Sequence, residues 1–155
     1  GAEAEPFWPI RIAEPFERLR DLADQRTAAG RAPKVYLAAL GPLAEHTARL
    51  QYAQNFFAAG GIVGVPSAGD AIWHAQAMKQ SGNRLVCLCG SDKRYATEAV
   101  EAAKVLKLAG AARVYMAGRP GELEAQLRAA GVDEFIFVGC DVLASLEKAH
   151  AELGL

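Results

Sequence analysis

The chain has 155 residues, 52% of them apolar and 23% charged, with a net charge of −1, which is the length and balance of one globular domain. That charge argues against nucleic acid or an anionic membrane as the main partner, since both require a basic surface. No apolar run approaches the roughly 18 residues needed to cross a bilayer, and no basic-then-apolar start marks a secretory signal. Because the first residue is Gly1 and not Met, a processed or excised chain is expected, and anything upstream is unseen. Cys87, Cys89 and Cys140 cannot all pair and lack metal-ligand spacing, so free thiols in a reducing cytoplasm or an organelle matrix are expected.

Residues 1–33 fall outside the pattern that follows. Pro6, Pro9 and Pro15 punctuate the start, and Phe16, Leu19, Leu22 and Ala23 then recur at helical spacing. This reads as an extended N-terminal arm and one short amphipathic helix. Phe7, Trp8 and Ile10 are too apolar for a free tail and either fold back on this domain or pack on something else, and Phe7, Trp8 and Phe16 are expected to be buried.

From residue 34 to 155, short apolar runs alternate with helical patterns. Lys34–Leu40 is a first strand of the kind buried on both faces. Pro42 suits the first turn of a helix running to about Ala59, with Leu43, His46, Leu50, Ala53 and Phe57 on its packed face. Ile62–Val65 is a short second strand ended by Pro66, and Gly69-Asp70 opens a helix that stops near Gly82. Arg84–Cys89 is a third strand, followed by Ser91-Asp92 as a helix cap. Arg113–Ala117 is a fourth strand, followed by a helix from Pro120 to Gly131. Glu134–Val138 is a fifth, and Asp141 caps the last helix. Helices of crossover length between successive strands predict a parallel sheet with helices on both faces. The expected order is 2-1-3-4-5, a flavodoxin-like (Rossmann-like) α/β fold, with any ligand crevice at the carboxyl ends of the first and third strands.

The loops at that crevice contain little recognisable chemistry. Gly41-Pro42-Leu43-Ala44-Glu45-His46-Thr47 is neither a dinucleotide fingerprint nor a phosphate loop, and Pro42 removes a backbone donor. His46, His74 and His150 lack partner motifs and read as packed or surface histidines. Ser91 hints weakly at an anion site and reads better as a cap. Cys89 and Cys140 close strands at the crevice edge. Cys140 precedes a helix that would lower its pKa, but no base accompanies it, so buried structural thiols are expected at both positions. Gly118-Arg119-Pro120-Gly121 allows a close approach by a ligand, and a plain turn also explains it. These residues alone support a binding or interaction domain and no more.

Taken together, several strings carry a resemblance: Ala13–Arg20, Leu40–Arg49, Asn55–Gly61, Cys87–Cys89 and Phe135–Leu143. They are similar to the C-terminal, cobalamin-domain-like part of the small (beta) subunit of methylmalonyl-CoA mutase, and the similarity covers nearly the whole chain. That family interconverts methylmalonyl-CoA and succinyl-CoA by adenosylcobalamin radical chemistry. Its small subunit carries a large barrel before this domain, so residues 1–33 would be the linker from that barrel. The catalytic large subunit ends in a homologous domain whose first loop carries Asp-x-His-x-x-Gly. There the histidine ligates cobalt and the aspartate orients it.

Laid on this sequence, Leu43 stands at the aspartate, Glu45 at the histidine and Ala48 at the glycine. His46 is one residue away, a turn of about 100° on a helix. The positions that hold the cofactor's nucleotide tail in relatives are only partly matched, by Ser91 and Gly118. Gly41, Leu43, Glu45, His46, Ser91 and Gly118 therefore form a degenerate pocket, with Leu43 and Leu50 expected to help fill it. The resemblance implies no cofactor, metal or catalytic residue in this domain, adenosylcobalamin in the partner large subunit, and a non-catalytic assembly role in the cytoplasm. The alternatives are a cobalamin-binding module that recruits His46 and an unrelated flavodoxin-like enzyme that uses Cys140.

Overall fold

The computed structural model describes residues 10–155, with side chains from residue 14 onward. Along the chain come α1 (Ile10–Ala28), β1 (Lys34–Ala39), α2 (Leu43–Ala58), β2 (Val63–Ala68), α3 (Ala71–Ser81), β3 (Leu85–Cys89) and α4 (Asp92–Leu108). They are followed by β4 (Arg113–Ala117), a 3₁₀ turn (Gly121–Leu123), α5 (Glu124–Ala130), β5 (Glu134–Ile136) and α6 (Val142–Glu152). All strand pairs are parallel, in the order β2-β1-β3-β4-β5 expected from the sequence.

Alternation along the central strands builds two cores. Tyr36, Val86, Leu88 and Met116 face Met78, Tyr95, Leu106 and Leu127 from α3, α4 and α5. Val35, Leu37, Cys87, Tyr115 and Ile136 face Leu19, Phe57 and Leu146 from α1, α2 and α6. The two-residue period places successive side chains on opposite faces, so β1, β3 and β4 are buried on both.

Three elements differ from the sequence reading. The amino-terminal helix is long, running 19 residues through Pro15, because it has a seat on the domain. Leu19 and Ala23 are buried, Arg20 donates to the Ala59 carbonyl at the end of α2, and Arg26 donates to the Leu153 and Gly154 carbonyls at the end of α6. Free carbonyls at helix ends need such partners. Phe16 is half-buried against this core. Phe7, Trp8 and the Ile10 side chain lie outside the described residues.

The second strand does not end at Pro66 but continues to Ala68. Val63 N–H donates to the Pro33 carbonyl at 2.9 Å and Gly69 N–H to the Ala39 carbonyl at 3.4 Å, so odd-numbered residues point their donors at β1. Pro66 faces the open edge, where a missing N–H costs no ladder bond. The fifth strand stops at Ile136, two residues early. Cys140 N–H donates back to the Phe137 carbonyl at 3.0 Å, and this turn takes the chain out of the sheet.

Candidate functional site

The crevice expected at the carboxyl ends of β1 and β3 exists, and the chain's own side chains bridge it. Gly41 turns the chain out of β1 with φ +75°. Pro42 then occupies the cap position of α2, and Glu45 lies in its first turn, where the positive helix end favours a carboxylate. Across the crevice, Ser91 caps α4 by accepting from Arg94 N–H at 3.1 Å. Its hydroxyl donates to Glu45 Oε1 at 2.8 Å. Arg94 makes a two-pronged contact with the same carboxylate, Nη2 to Oε2 at 2.8 Å and Nε to Oε1 at 3.3 Å, and also pairs with Glu98 at 2.8 Å. A Cβ on Gly41 would lie 2.6 Å from Arg94 Nε, so the guanidinium rests directly on that glycine.

These contacts set the charge state. The hydrogen bonds from Arg94, and then that from Ser91, hold the Glu45 carboxyl down at about 2. A group whose pKa is depressed in the folded state stabilises it above the ordinary carboxylate pKa, and that contribution disappears as pH falls toward the folded value. Wild type should therefore lose more stability than Glu45→Gln between pH 5 and about pH 2. Thermal melts of both proteins across that window should converge on acidification. Equal losses would show that the carboxylate is not held in this way.

A second arginine closes the next stretch of crevice. Arg49, one helical turn beyond Glu45, donates to the Gly90 carbonyl at 2.8 Å and to Asp92 Oδ1 at 3.0 Å. It lies over the Tyr95 ring at 5.6 Å. Gly118 has φ +129°, and a Cβ there would approach the Arg49 guanidinium to 2.9 Å. Beneath it the buried Tyr95 hydroxyl accepts from Gly90 N–H at 2.8 Å and donates to the Ala117 carbonyl at 2.6 Å. The carboxyl ends of β3 and β4 are thereby tied together. Further toward β5 a cleft of about 550 Å³ remains, lined by Arg49, Tyr52, Arg119, Phe137 and Val138 among others. Arg119 stacks on Phe137 at 4.3 Å.

The residues singled out from sequence are placed as follows. Gly41, Glu45 and Ser91 come together around Arg94, and Gly118 sits under Arg49. Leu43 does not fill the crevice: it is 72% exposed, because it is the first residue of α2 and points away from the sheet. Leu50 is half-buried. All three histidines are packed. His46 Nδ1–H donates to the Gly41 carbonyl at 3.0 Å, and His150 Nε2–H donates to the Gly60 carbonyl at 2.7 Å. His74 Nε2–H donates to the Ala39 carbonyl and its Nδ1 accepts from Tyr36, both at 2.8 Å. Burial lowers the His74 pKa and keeps it neutral. Cys89 is buried as expected, and Cys87 is buried with it, but Cys140, expected to be buried, is half-buried, because the turn after β5 lifts it out of the core. Among the described residues no cluster of three or more His, Cys, Asp or Glu could hold a metal ion.

Sequence reasoning missed Arg49, Arg94 and Tyr95. Glu45 and Arg49 are four apart on α2, and each bonds across the crevice, Glu45 to Ser91 and Arg94 and Arg49 to Gly90 and Asp92.

No protein-family profile matches this chain. Among solved structures, a cobalamin-binding protein from Desulfitobacterium hafniense DCB-2 superposes with a TM-score of 0.61 at 19% identity, covering 88% of this chain and 67% of that one. A two-component response regulator from Clostridium difficile gives 0.56 at 12% identity, covering 79% of this chain and 96% of that one. At these identities the likeness establishes the fold. Sequence relatives are nearer. The methylmalonyl-CoA mutase small subunit of Streptomyces virginiae is 44% identical over 149 residues, which is 94% of this chain and 23% of that protein. The probable small subunit of Mycobacterium tuberculosis H37Rv is 37% identical over 155 residues, 97% of this chain and 25% of that protein. The Porphyromonas gingivalis small subunit is 34% identical over 97% of this chain and 24% of its own length. The chain thus spans about a quarter of the length of these curated relatives. Over nearly its whole length the chain is homologous to about a quarter of the methylmalonyl-CoA mutase small subunit.

Proposed function

We propose that this domain is the C-terminal, cobalamin-domain-like region of a non-catalytic mutase small subunit. In this reading it retains the fold without the cofactor and helps hold a cytoplasmic heterodimer with the large subunit that isomerises methylmalonyl-CoA and succinyl-CoA. Residues 1–33 then lead in from a preceding barrel. The observation that carries the reading is the bridged crevice. Glu45 stands at the position of the cobalt-ligating histidine in the large-subunit motif and is held by Arg94 and Ser91. Arg49 occupies the space over Gly118. His46 has its Nδ1 committed to Gly41. Admitting a corrin and its nucleotide tail would break these charge-assisted bonds. A carboxylate oxygen is also a poor match for cobalt that takes imidazole nitrogen.

Titration with hydroxocobalamin or adenosylcobalamin is expected to give no histidine-on spectral shift and no saturable binding at micromolar levels, with or without His46→Ala. Tight binding abolished by that substitution would establish a cobalamin module using His46 instead. Mixing with purified large subunit and following sedimentation tests the assembly half. A stable complex is expected, and its absence would overturn that half.

A further inference from the structure

Of the seven large apolar side chains that are exposed among the described residues, four fall on β2 and the first turn of the helix that follows it: Val63 (52%), Val65 (38%), Ile72 (61%) and Trp73 (51%). Val63, Val65 and Ser67 alternate onto one face of β2, in a row roughly 13 Å long at the usual strand rise. Trp73 closes the row, its indole N–H donating to Ser67 Oγ at 3.1 Å. The helix α3 turns His74 and Met78 inward over β1, leaving the β2 face uncovered and Ile72 and Trp73 outward. Monomers rarely leave such side chains grouped.

The strip has a charged end. In the β1–β2 register Val63 stands beside Lys34. Lys34 lines a hollow of about 210 Å³ together with Arg26, Arg31 and Arg84. Arg84 pairs with Glu152, and Arg26 is occupied by the carbonyls ending α6. Neither Arg31 nor Lys34 has a carboxylate within ion-pair distance among the described residues. Both are exposed. The hollow is below the roughly 300 Å³ at which small-molecule pockets begin, yet ample for carboxylate side chains.

Pro66 restricts how a partner can bind here. Gly64, Pro66 and Ala68 occupy the outward-facing positions of the edge, and Pro66 has no N–H to offer there. Strand addition, whether by a peptide or by a second copy, meets a gap in the middle of the ladder. Recognition must therefore run through side chains.

We infer that the β2–α3 strip and its basic end form the docking surface for a protein partner, one that presents an apolar segment with carboxylates at the end meeting Arg31 and Lys34. This rests on the assembly reading above, in which that partner is the mutase large subunit. The apolar row contributes the buried area, and the two exposed cations fix its direction and speed encounter.

The test is sedimentation velocity of the chain with purified large subunit, at low and at 0.5 M salt. Ile72→Glu sits on an exposed helix face and Lys34→Glu at a solvated strand end, so both proteins should melt within a few degrees of wild type. Each is expected to weaken association about tenfold or more, and salt should weaken wild type more than Lys34→Glu. If wild type associates and both variants match it, the docking surface is wrong while the assembly reading stands. If wild type does not associate at all, both fall. Self-association of the chain alone that is lost in Ile72→Glu would assign the strip to a second copy. Flotation with phosphatidylserine vesicles that is lost in Lys34→Glu would assign it to a membrane. Either result overturns the inference.

Discussion

Phe57→Ala should cost about 3–5 kcal/mol of stability, the usual range for truncating a fully buried aromatic side chain. For a domain of this size that corresponds to a fall in Tm on the order of 10 °C. Phe57 is 0% exposed. Its ring meets Tyr115 edge-on at 5.0 Å and Phe56 at 5.2 Å, and with Ala53 and Phe56 it seats α2 on the sheet. Neighbours fixed in strands and helices cannot collapse into the space it would leave. The consequence reaches the crevice, because α2 also carries Glu45 and Arg49. Chemical and thermal denaturation of wild type and variant would measure the loss. A loss below about 1 kcal/mol would mean that α2 does not depend on this contact for its position.

Tyr95→Phe should cost about 2–6 kcal/mol although it removes a single oxygen. That oxygen accepts from Gly90 N–H and donates to the Ala117 carbonyl. Burial pushes the phenol pKa well up, so the hydroxyl is always present as a donor. The variant keeps the ring and creates almost no cavity, but it leaves a buried donor and a buried acceptor unpaired. Each such group costs about 1–3 kcal/mol. Urea denaturation measures the sum, and amide exchange at Gly90 reports the local part, with faster exchange expected in the variant. Unchanged exchange at Gly90 would show that the hydroxyl does not hold the end of β3.

The two results would together separate the packing that seats the helices from the polar stitching that closes the crevice. Tyr95 holds β3 to β4, Arg49 bridges α2 to the loop after β3, and Arg94 reaches back to Glu45. All three are long polar side chains that bond across elements, and together they occupy the place where this fold elsewhere receives ligands.

Local features made most of the architecture legible in the sequence. β-Branched and aromatic runs of five or six residues, separated by helical spacing, required a parallel sheet, and right-handed crossovers left few strand orders open. Ser91 and Asp141 were readable as caps because a cap is satisfied within three residues. The similarity to the mutase small subunit was also readable, since it rests on contiguous strings. Where the reading went wrong, a distant contact decided. The helix α1 is long because α2 and α6 offer it carbonyls to cap, and Pro66 stays in a strand because β2 lies at the edge.

By itself, then, the sequence determined the order of elements, the fold class and the kinship. Each of these is encoded in residues adjacent along the chain or at a fixed helical or strand period. Only the tertiary structure decided which side chains meet at the crevice. Glu45 and Arg94 are 49 positions apart and Arg49 and Gly90 41 apart. No periodicity relates residues so far apart. They meet because β1 and β3 lie side by side and end at the same level, which brings the first turns of α2 and α4 within reach of one salt bridge.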